Sequence, residues 1–470
     1  MTDLAGRTEA EVLILQMKAA KATSAADLQP SLRVDVSYAL VTLGTSAVWS
    51  IITGWLLYFY LPPAGSGGEP GRALVPAALY SAAMLATRAL NAAIAPPVGY
   101  LSDHTRSRWG RRLPYLAISG LPMLALFVLL WTPPVATESG WNLLYLVFVL
   151  GLYNAAYTLH QIPYAALLPE LALTDRHRVR ISAWSASMML VGTVLGGLAG
   201  PAINRFGYLG MALLYGSVAL PLLYAPLAVL RERSGRQIAA AERLNVRQAV
   251  TTMLHNRAFR VLTASGLLYW SVTSFLLAVV PFIVTEVCLL TVSDTLYFYI
   301  AAIVTSLACY PVVTWLVGRV GKWAVFTGSL LAGALVLPTL MLISPALPLG
   351  LLAQGLLWIT LEAIAMSGVT MLPPVFGAEV IDHDETVTGQ RREGFYAAAW
   401  GLLDQVANGV AGAALPLLLL LGRSRFDPRG PLGVRLVGAL GGVLLLAAFL
   451  IFLRYPFRNR AGRAQGGRHD

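Results

Sequence analysis

Apolar stretches of about twenty residues recur along nearly the whole chain, each parted from the next by a polar connection. A helix needs about 20 such residues to cross roughly 30 Å of hydrocarbon. Lipid offers an unpaired backbone N–H or C=O no partner, so each stretch has to be helical. The pattern predicts about twelve spans, at 36–61, 74–101, 113–133, 142–168, 181–203, 208–230, 261–285, 295–317, 323–344, 348–373, 394–421 and 431–454. Charge agrees. Only 12% of the 470 residues are charged and the mean hydropathy is +0.67, whereas a soluble domain carries about 25% charged residues. The expected fold class is an all-α polytopic membrane protein.

The loops set the expected orientation. Arg106, Arg108, Arg111, Arg112, Arg176, Arg178, Arg180, the basic run from Arg231 to Arg260, Arg319, Lys322, Arg391 and Arg392 all fall on one side. The other side holds Arg72 and Arg205, with Arg423, Arg425 and Arg429 in one exceptional loop. The positive-inside rule makes the first side cytoplasmic, and an even span count puts both termini there. The connection 231–258 divides the chain into six-helix bundles at 36–230 and 259–456, with cytoplasmic tails at 1–35 and 457–470. The net charge of +11 belongs to this loop bias, so no nucleic-acid partner is expected. Cys288 and Cys309 are far apart in apolar settings and read as small buried residues, with no metal spacing. No HExxH, P-loop or nucleophile–base pair is present, which speaks against an enzyme or an ATP-driven pump.

Between spans two and three, Gly99, Asp103, Gly110, Arg111 and Arg112 stand as G-x3-D-x6-G-R-R. Such a loop must turn tightly and carry charges that can pair and part. Asp103 can accept hydrogen bonds from Arg108, Arg111 or Arg112. Asp382, Asp384 and Glu385 can meet Arg391, Arg392 or the Arg176–Arg180 run. These groups are the candidates for a cytoplasmic gate. One exposed pair contributes about 0–1 kcal/mol, but several together can tip a two-state balance of a few kcal/mol. The loop Gly318–Trp323 echoes the first at the matching place in the second half, as expected of a transporter built from two repeated halves. Pro96, Pro97, Pro163, Pro373 and Pro374 in or beside spans allow kinks.

Three segments carry a resemblance to a known family: Arg88–Tyr115 (RALNAAIAPPVGYLSDHTRSRWGRRLPY), Tyr157–Arg180 with IPYAALLPEL and TDRHRVR, and Glu379–Phe395 (EVIDHDETVTGQRREGF). The chain resembles the glycoside–pentoside–hexuronide:cation symporters of the major facilitator superfamily, typified by melibiose permease. The resemblance implies the major facilitator fold, two six-helix bundles and transport by alternating access. The sequence departs from the family's pattern where sugar symporters carry charges. Asn91 and Ala95 stand for two carboxylates in span two, Gln161 for an acid in span four, and Ala165 for an aromatic. Ser46 stands for an acid in span one and Gln405 for a lysine in span eleven, with Asp404 beside it. Span five has no Arg after Arg180. Fold and transport carry over; sodium coupling and a particular sugar do not.

Ionisable groups deep in a span are costly and usually functional. Arg88, His160, Glu362 and Asp404 are the candidates. Residues four apart share a helix face, so Gln354, Trp358 and Glu362 form one stripe, and Trp400, Asp404 and Asn408 another. Asn154, Tyr157 and Gln161 form a third, and Thr42, Ser46, Trp49 and Thr53 a fourth. Each would be expensive against lipid. The expected substrate cavity comprises Trp49, Asn91, Asn154, Tyr157, Gln161, Trp358, Trp400, Gln405 and Asn408. Glu362, Asp404 and Arg88 are the candidates for proton or cation coupling, because an apolar setting disfavours a bare carboxylate. Each has a plainer reading: Arg88 as a tie between helices, His160 as packing, the tryptophans as core, the two acids as permanent ion-pair partners.

The expected function is secondary transport of a glycoside or related small sugar, coupled to a proton or a cation such as sodium, with no other cofactor. The expected partners are the small-molecule substrate and the bilayer of a bacterial inner membrane, with the protein a monomer. A transporter of lysolipids or other amphiphiles, or an uncoupled facilitator, is the alternative, and a non-transporting receptor is the reading from another class. A cavity dense in donors and acceptors favours a sugar, a lateral apolar opening an amphiphile, and a sealed centre a receptor.

Overall fold

The computed structural model describes residues 32–63, 73–105, 107–171, 175–229, 255–389, 393–421 and 431–457. The main helices are α1 (Leu32–Tyr60), α2 (Ala77–His104), α3 (Leu113–Leu129), α4 (Gly140–Leu171), α5 (Asp175–Gly197), α6 (Ala199–Val229), α7 (Arg257–Phe282), α8 (Thr295–Val320), α9 (Lys322–Val336), α10 (Leu351–Met371), α11 (Pro373–Thr388), α12 (Glu393–Leu419) and α13 (Leu432–Phe452). All but α11 run from one end of the bundle to the other. The end that holds Leu32 and Phe452 is called the terminal end, and the opposite one the far end. Among the described residues, nine stretches are long and apolar enough to cross a bilayer. The three remaining spans fall short for visible reasons. α3 has 17 residues, α2 carries Thr87, Arg88 and Asn91, and α5 opens with the basic Asp175–Arg180 turn.

Three boundaries differ from the sequence-based spans. α5 starts at Asp175 and ends at Gly197, because the basic residues join its first turn. The next helix begins at Ala199 and bends at Gly207 (φ 70°), so 199–206 forms an elbow at the far end. α10 continues after Leu372 into α11, with Pro373 and Pro374 in its first turn, where a missing N–H costs nothing. The acidic motif from Glu379 to Glu385 therefore lies on a helix.

The two halves repeat a turn. Gly110 (φ 101°) precedes α3 and Gly321 (φ 87°) precedes α9, both in backbone conformations that glycine enters without steric cost. The echo between these loops thus has a shared geometry.

Small residues draw α1 and α5 together. A methyl at Gly192 would collide with Leu43 O and Ser46 Oγ, and one at Gly196 with Ala47 O and Ser50. The Ser50 hydroxyl donates to Thr193 O at 2.9 Å. In a bilayer such close approach supplies the packing that hydrophobicity cannot. This contact takes Ser46 away from the centre, and Thr42 pairs with the Tyr164 hydroxyl at 2.8 Å. Of the α1 stripe, Trp49 and Thr53 remain for the cavity.

At the far end the halves are sealed against one another. The Tyr58 hydroxyl of α1 donates to Thr285 Oγ1 at 3.3 Å, in a π-helical turn, Ile283–Val287, that ends α7. Its ring meets Phe282 edge-on at 4.9 Å. Tyr299 of α8 lies against Gly54 and Gly197 of the other half; a methyl on Gly197 would stand 2.9 Å from its ring. Gly200 likewise faces Thr295 and Val292 O. At the terminal end two ion-pair clusters lie each inside one half. Asp35, fully buried, has His177 Nε2 at 2.7 Å and Arg180 at 2.5 Å. Lys322 meets Glu379 at 2.9 Å, and the Tyr455 hydroxyl donates to the same carboxylate.

Candidate functional site

Five helices, three from the first half and two from the second, enclose a central cleft of about 120 Å³. Each contributes one face. α1 supplies Trp49, Ile52, Thr53, Leu56 and Leu57; α2 supplies Tyr80, Met84, Thr87, Arg88 and Asn91; α4 supplies Leu150, Tyr153, Asn154 and Tyr157. α7 adds Ser274 and Ala278, and α12 adds Asp404, Gln405, Asn408, Ala411, Gly412 and Leu415. The three-to-four-residue spacing on every helix is that of one helical face. More than half of these side chains carry a hydrogen-bonding group.

The cleft opens toward the terminal end. Along α12, Asp404 is exposed, Gln405 half-buried, Asn408 buried and Leu415 1% exposed. Along α1, Trp49 and Thr53 are half-buried whereas Leu56 and Leu57 are buried. The far-end seal closes the other way out.

Polar contacts fix several of the lining groups. Arg88 Nη1 donates to Gln405 Oε1 at 3.0 Å, joining the two halves across the middle of the bundle. Arg88 and Asp404 also interact as opposite charges. The Ser274 hydroxyl donates to Asn408 Oδ1 at 2.8 Å, and the Asn408 amide donates to Asp404 O at 2.8 Å. The Thr158 hydroxyl donates to Asn91 Oδ1, so α4 holds that side chain. Tyr153 and Tyr157 stack with ring centroids 6.2 Å apart. The buried Tyr153 hydroxyl has no hydrogen-bond partner among the described residues.

The sequence-derived candidates divide. Trp49, Arg88, Asn91, Asn154, Tyr157, Asp404, Gln405 and Asn408 come together in the cleft. Gln161 is half-buried on α4 outside the lining. Trp358 is 3% exposed in the apolar core of the second half. Trp400 covers Gly377 and packs on Tyr396 at 6.0 Å. Gln354 caps the 344–350 loop through Ser344 and Leu349. Glu362 is half-buried midway along α10, outside the lining, and makes no hydrogen bond or ion pair with another described residue. His160 is fully buried against Tyr164. At the terminal end Arg108 and Asp382 are exposed, Arg111 and Glu385 half-buried, and Arg112 buried. The Asp103 side chain, Arg391 and Arg392 lie outside the described residues, as do the N-terminal tail to residue 31, the loop 230–254 and the C-terminal tail from residue 458.

Sequence reasoning missed Tyr80, Tyr153 and Ser274 in the cleft. Tyr153 lies four residues before Tyr157, so the face rule that picked Tyr157 reaches it too. Asp35 was also missed, because nothing local ties it to His177, 142 residues on.

The match to known proteins follows this geometry. Residues 37–459 match the model of the MFS/sugar transport protein family. The chain belongs to this family. It is a multi-pass membrane transporter of the major facilitator fold and not an enzyme. It is 25% identical to an uncharacterized symporter of Synechocystis sp., over 82% of this chain and 84% of that one. It is 22% identical to the isoprimeverose transporter of Lactiplantibacillus pentosus, over 82% and 79%. Among solved structures it is similar to a bacterial homologue of the lysosomal transporter Spinster in an inward-facing, unoccupied conformation. That likeness has TM-score 0.62 and 11% identity, over 90% of this chain and 95% of the other.

Proposed function

We propose that this MFS protein moves a glycoside or related small sugar across a bacterial inner membrane by alternating access, with both termini cytoplasmic. The observation that carries this reading is the cleft shared by the two halves, dense in hydrogen-bonding groups and bridged by Arg88 and Gln405. A sugar exposes hydroxyls all round, and Asn154, Tyr153, Tyr157, Arg88 and Gln405 offer both donors and acceptors to them. Trp49 and the tyrosines offer flat faces to the ring's C–H surfaces. The relatives described as a symporter and as an isoprimeverose transporter support the same class.

With the termini inside, the cleft is open to the cytoplasm and sealed outside by Tyr58, Thr285 and Tyr299. Rocking the halves would part that seal and the Arg88–Gln405 bond. Arg108, Arg111 and Arg112, with Asp103, would then approach Asp382, Glu385, Arg391 and Arg392 and shut the inner side. Asp404 is the group we assign to proton exchange. It is the acid in the cleft, it opposes Arg88, and it is exposed to the open side. Glu362 stands outside the lining and is the second candidate. Asp404 is the one carboxylate among the described residues that line the cleft. The monomer is sufficient, because one chain supplies both halves.

The test is ligand-induced thermal stabilisation of the purified protein. It would use a panel of mono- and disaccharides, glycosides and lysolipids, with and without sodium and across pH. Stabilisation by a sugar or glycoside, in a form altered by Asn154→Ala, is expected. Stabilisation by lysolipids alone would overturn the reading.

A further inference from the structure

One proline organises the far-end seal. Pro281 lies in the last turn of α7, and proline has no N–H to give the carbonyl four residues back. That carbonyl, Leu277 O, accepts instead from the Tyr299 hydroxyl at 3.3 Å. Both atoms face Gly54 of the other half. A methyl on Gly54 would stand 3.4 Å from the Tyr299 hydroxyl and 3.5 Å from Leu277 O. The carbonyl of Pro281 itself accepts from the Thr285 hydroxyl at 2.9 Å. Thr285 Oγ1 is thereby turned to accept from Tyr58 across the halves. Phe282, the next residue, meets the Tyr58 ring. Three contacts between the halves therefore run through Pro281 and the turns on either side of it.

The turn that follows has its own register. Cys288 N–H donates to Ile283 O at 2.9 Å, five residues back instead of four, so Ile283–Val287 holds one residue more than an α-helical turn. Single π turns in α-helices occur frequently at functional sites. This one ends at Leu289, whose φ of 55° makes it the one non-glycine residue with positive φ among the described residues. That conformation lets Leu290 N–H donate to Val284 O at 2.9 Å, but a left-handed backbone crowds any side chain. The Leu289 side chain is exposed, so packing does not account for leucine where glycine would fit without strain.

We propose that Pro281 and the π turn form the hinge of the far-end gate, and that opening returns the turn to α-helical register and releases Leu289 from its left-handed conformation. The closed state carries the strain and the open state is free of it. Leucine at 289 thus keeps the gate from locking shut. This rests on the alternating-access reading and holds whatever the solute.

The experiment is pulsed electron–electron distance measurement between nitroxides at Phe206 and Leu349, exposed far-end sites, one in each half. The background carries Cys288→Ser and Cys309→Ser. Pro281→Ala supplies an N–H that competes with Tyr299 for Leu277 O and should raise the far-open population. In that protein Leu289→Gly should raise the ratio of far-closed to far-open molecules about fivefold, the equivalent of about 1 kcal/mol, the lower end of the left-handed penalty. Leu289→Val should lower the ratio, because a branched side chain fits a positive φ worse than leucine does. If Pro281→Ala does not fold, the two Leu289 variants on native Pro281 should keep the same order. Ratios that ignore both Leu289 variants, or move the same way in both, overturn the inference, as does a ratio unchanged by Pro281→Ala. Alternating access still stands in those cases if Tyr299→Ala opens the far end. If no variant shows a far-open population, both readings fail together.

Discussion

Gly197→Ala is expected to push the resting protein from its far-closed state toward one open at the far end. In the closed state the added methyl would stand 2.9 Å and 3.0 Å from two carbons of the Tyr299 ring, well inside van der Waals contact. The ring is 8% exposed and its hydroxyl is anchored to Leu277 O at 3.3 Å, so it cannot simply swing away. Overpacking of this kind costs about 1–3 kcal/mol. Only the state with Tyr299 seated against the first half bears that cost. The ratio of far-closed to far-open molecules should therefore fall by about 5- to 150-fold. Tyr299→Ala should move the balance in the same direction, because it removes the wedge that fills the Gly54–Gly197 groove. The assay is pulsed electron–electron distance measurement between nitroxides at Phe206 and Leu289, in a background with Cys288→Ser and Cys309→Ser. Both label sites are exposed at the far end, 57% and 64%, one in each half. A new, longer distance population in both variants is expected. Unchanged distances in folded protein would refute the reasoning that Tyr299 holds the halves together.

Other outcomes follow from the same geometry. Asp404→Asn should abolish substrate-driven proton uptake in proteoliposomes while solute exchange persists, whereas Glu362→Gln should leave proton uptake measurable. Loss of proton uptake only in Glu362→Gln would reverse the assignment. Gln405→Leu removes the hydrogen bond that crosses the halves. A bond to a charged group is worth about 1.5–3 kcal/mol, so substrate affinity and the resting conformation should both shift, read by titration and by the same distance measurement. Asp35→Leu leaves the Arg180 guanidinium and His177 without their carboxylate. With Arg180 41% exposed, water makes up part of the loss, and thermal unfolding should show about 1–3 kcal/mol of destabilisation.

The spans were legible because hydrocarbon thickness fixes their length and lipid forbids any other backbone form. The polar faces of α2, α4 and α12 were legible for a similar reason: Arg88 and Asn91, Asn154 and Tyr157, and Asp404 and Asn408 repeat at helical spacing, and lipid would not tolerate them. The same rule misplaced Trp358 and Trp400, which also repeat at that spacing. A face that avoids lipid can meet a neighbouring helix as well as a cavity, and local pattern does not tell the two apart. Ser46 shows why. Its neighbour Gly192, far along the chain, decides that its face packs on α5. Asp35 with His177 and Arg180, and Tyr299 between Gly54 and Gly197, are contacts between distant segments with no local signature. The matching turns at Gly110 and Gly321 were legible as an echo, because a tight hairpin needs glycine in each half.

Cross-linking the far end tests alternating access most directly. Phe206 of the first half and Leu289 of the second are both exposed at the far end, 57% and 64%, so cysteines there can be joined without disturbing the seal. Counterflow by the Phe206→Cys, Leu289→Cys protein, made without Cys288 and Cys309, should cease on treatment with the shortest cleavable bifunctional thiol reagent that joins them, while ligand binding from the terminal side remains, and should return when the linker is cleaved. Full counterflow in the cross-linked protein would contradict the account.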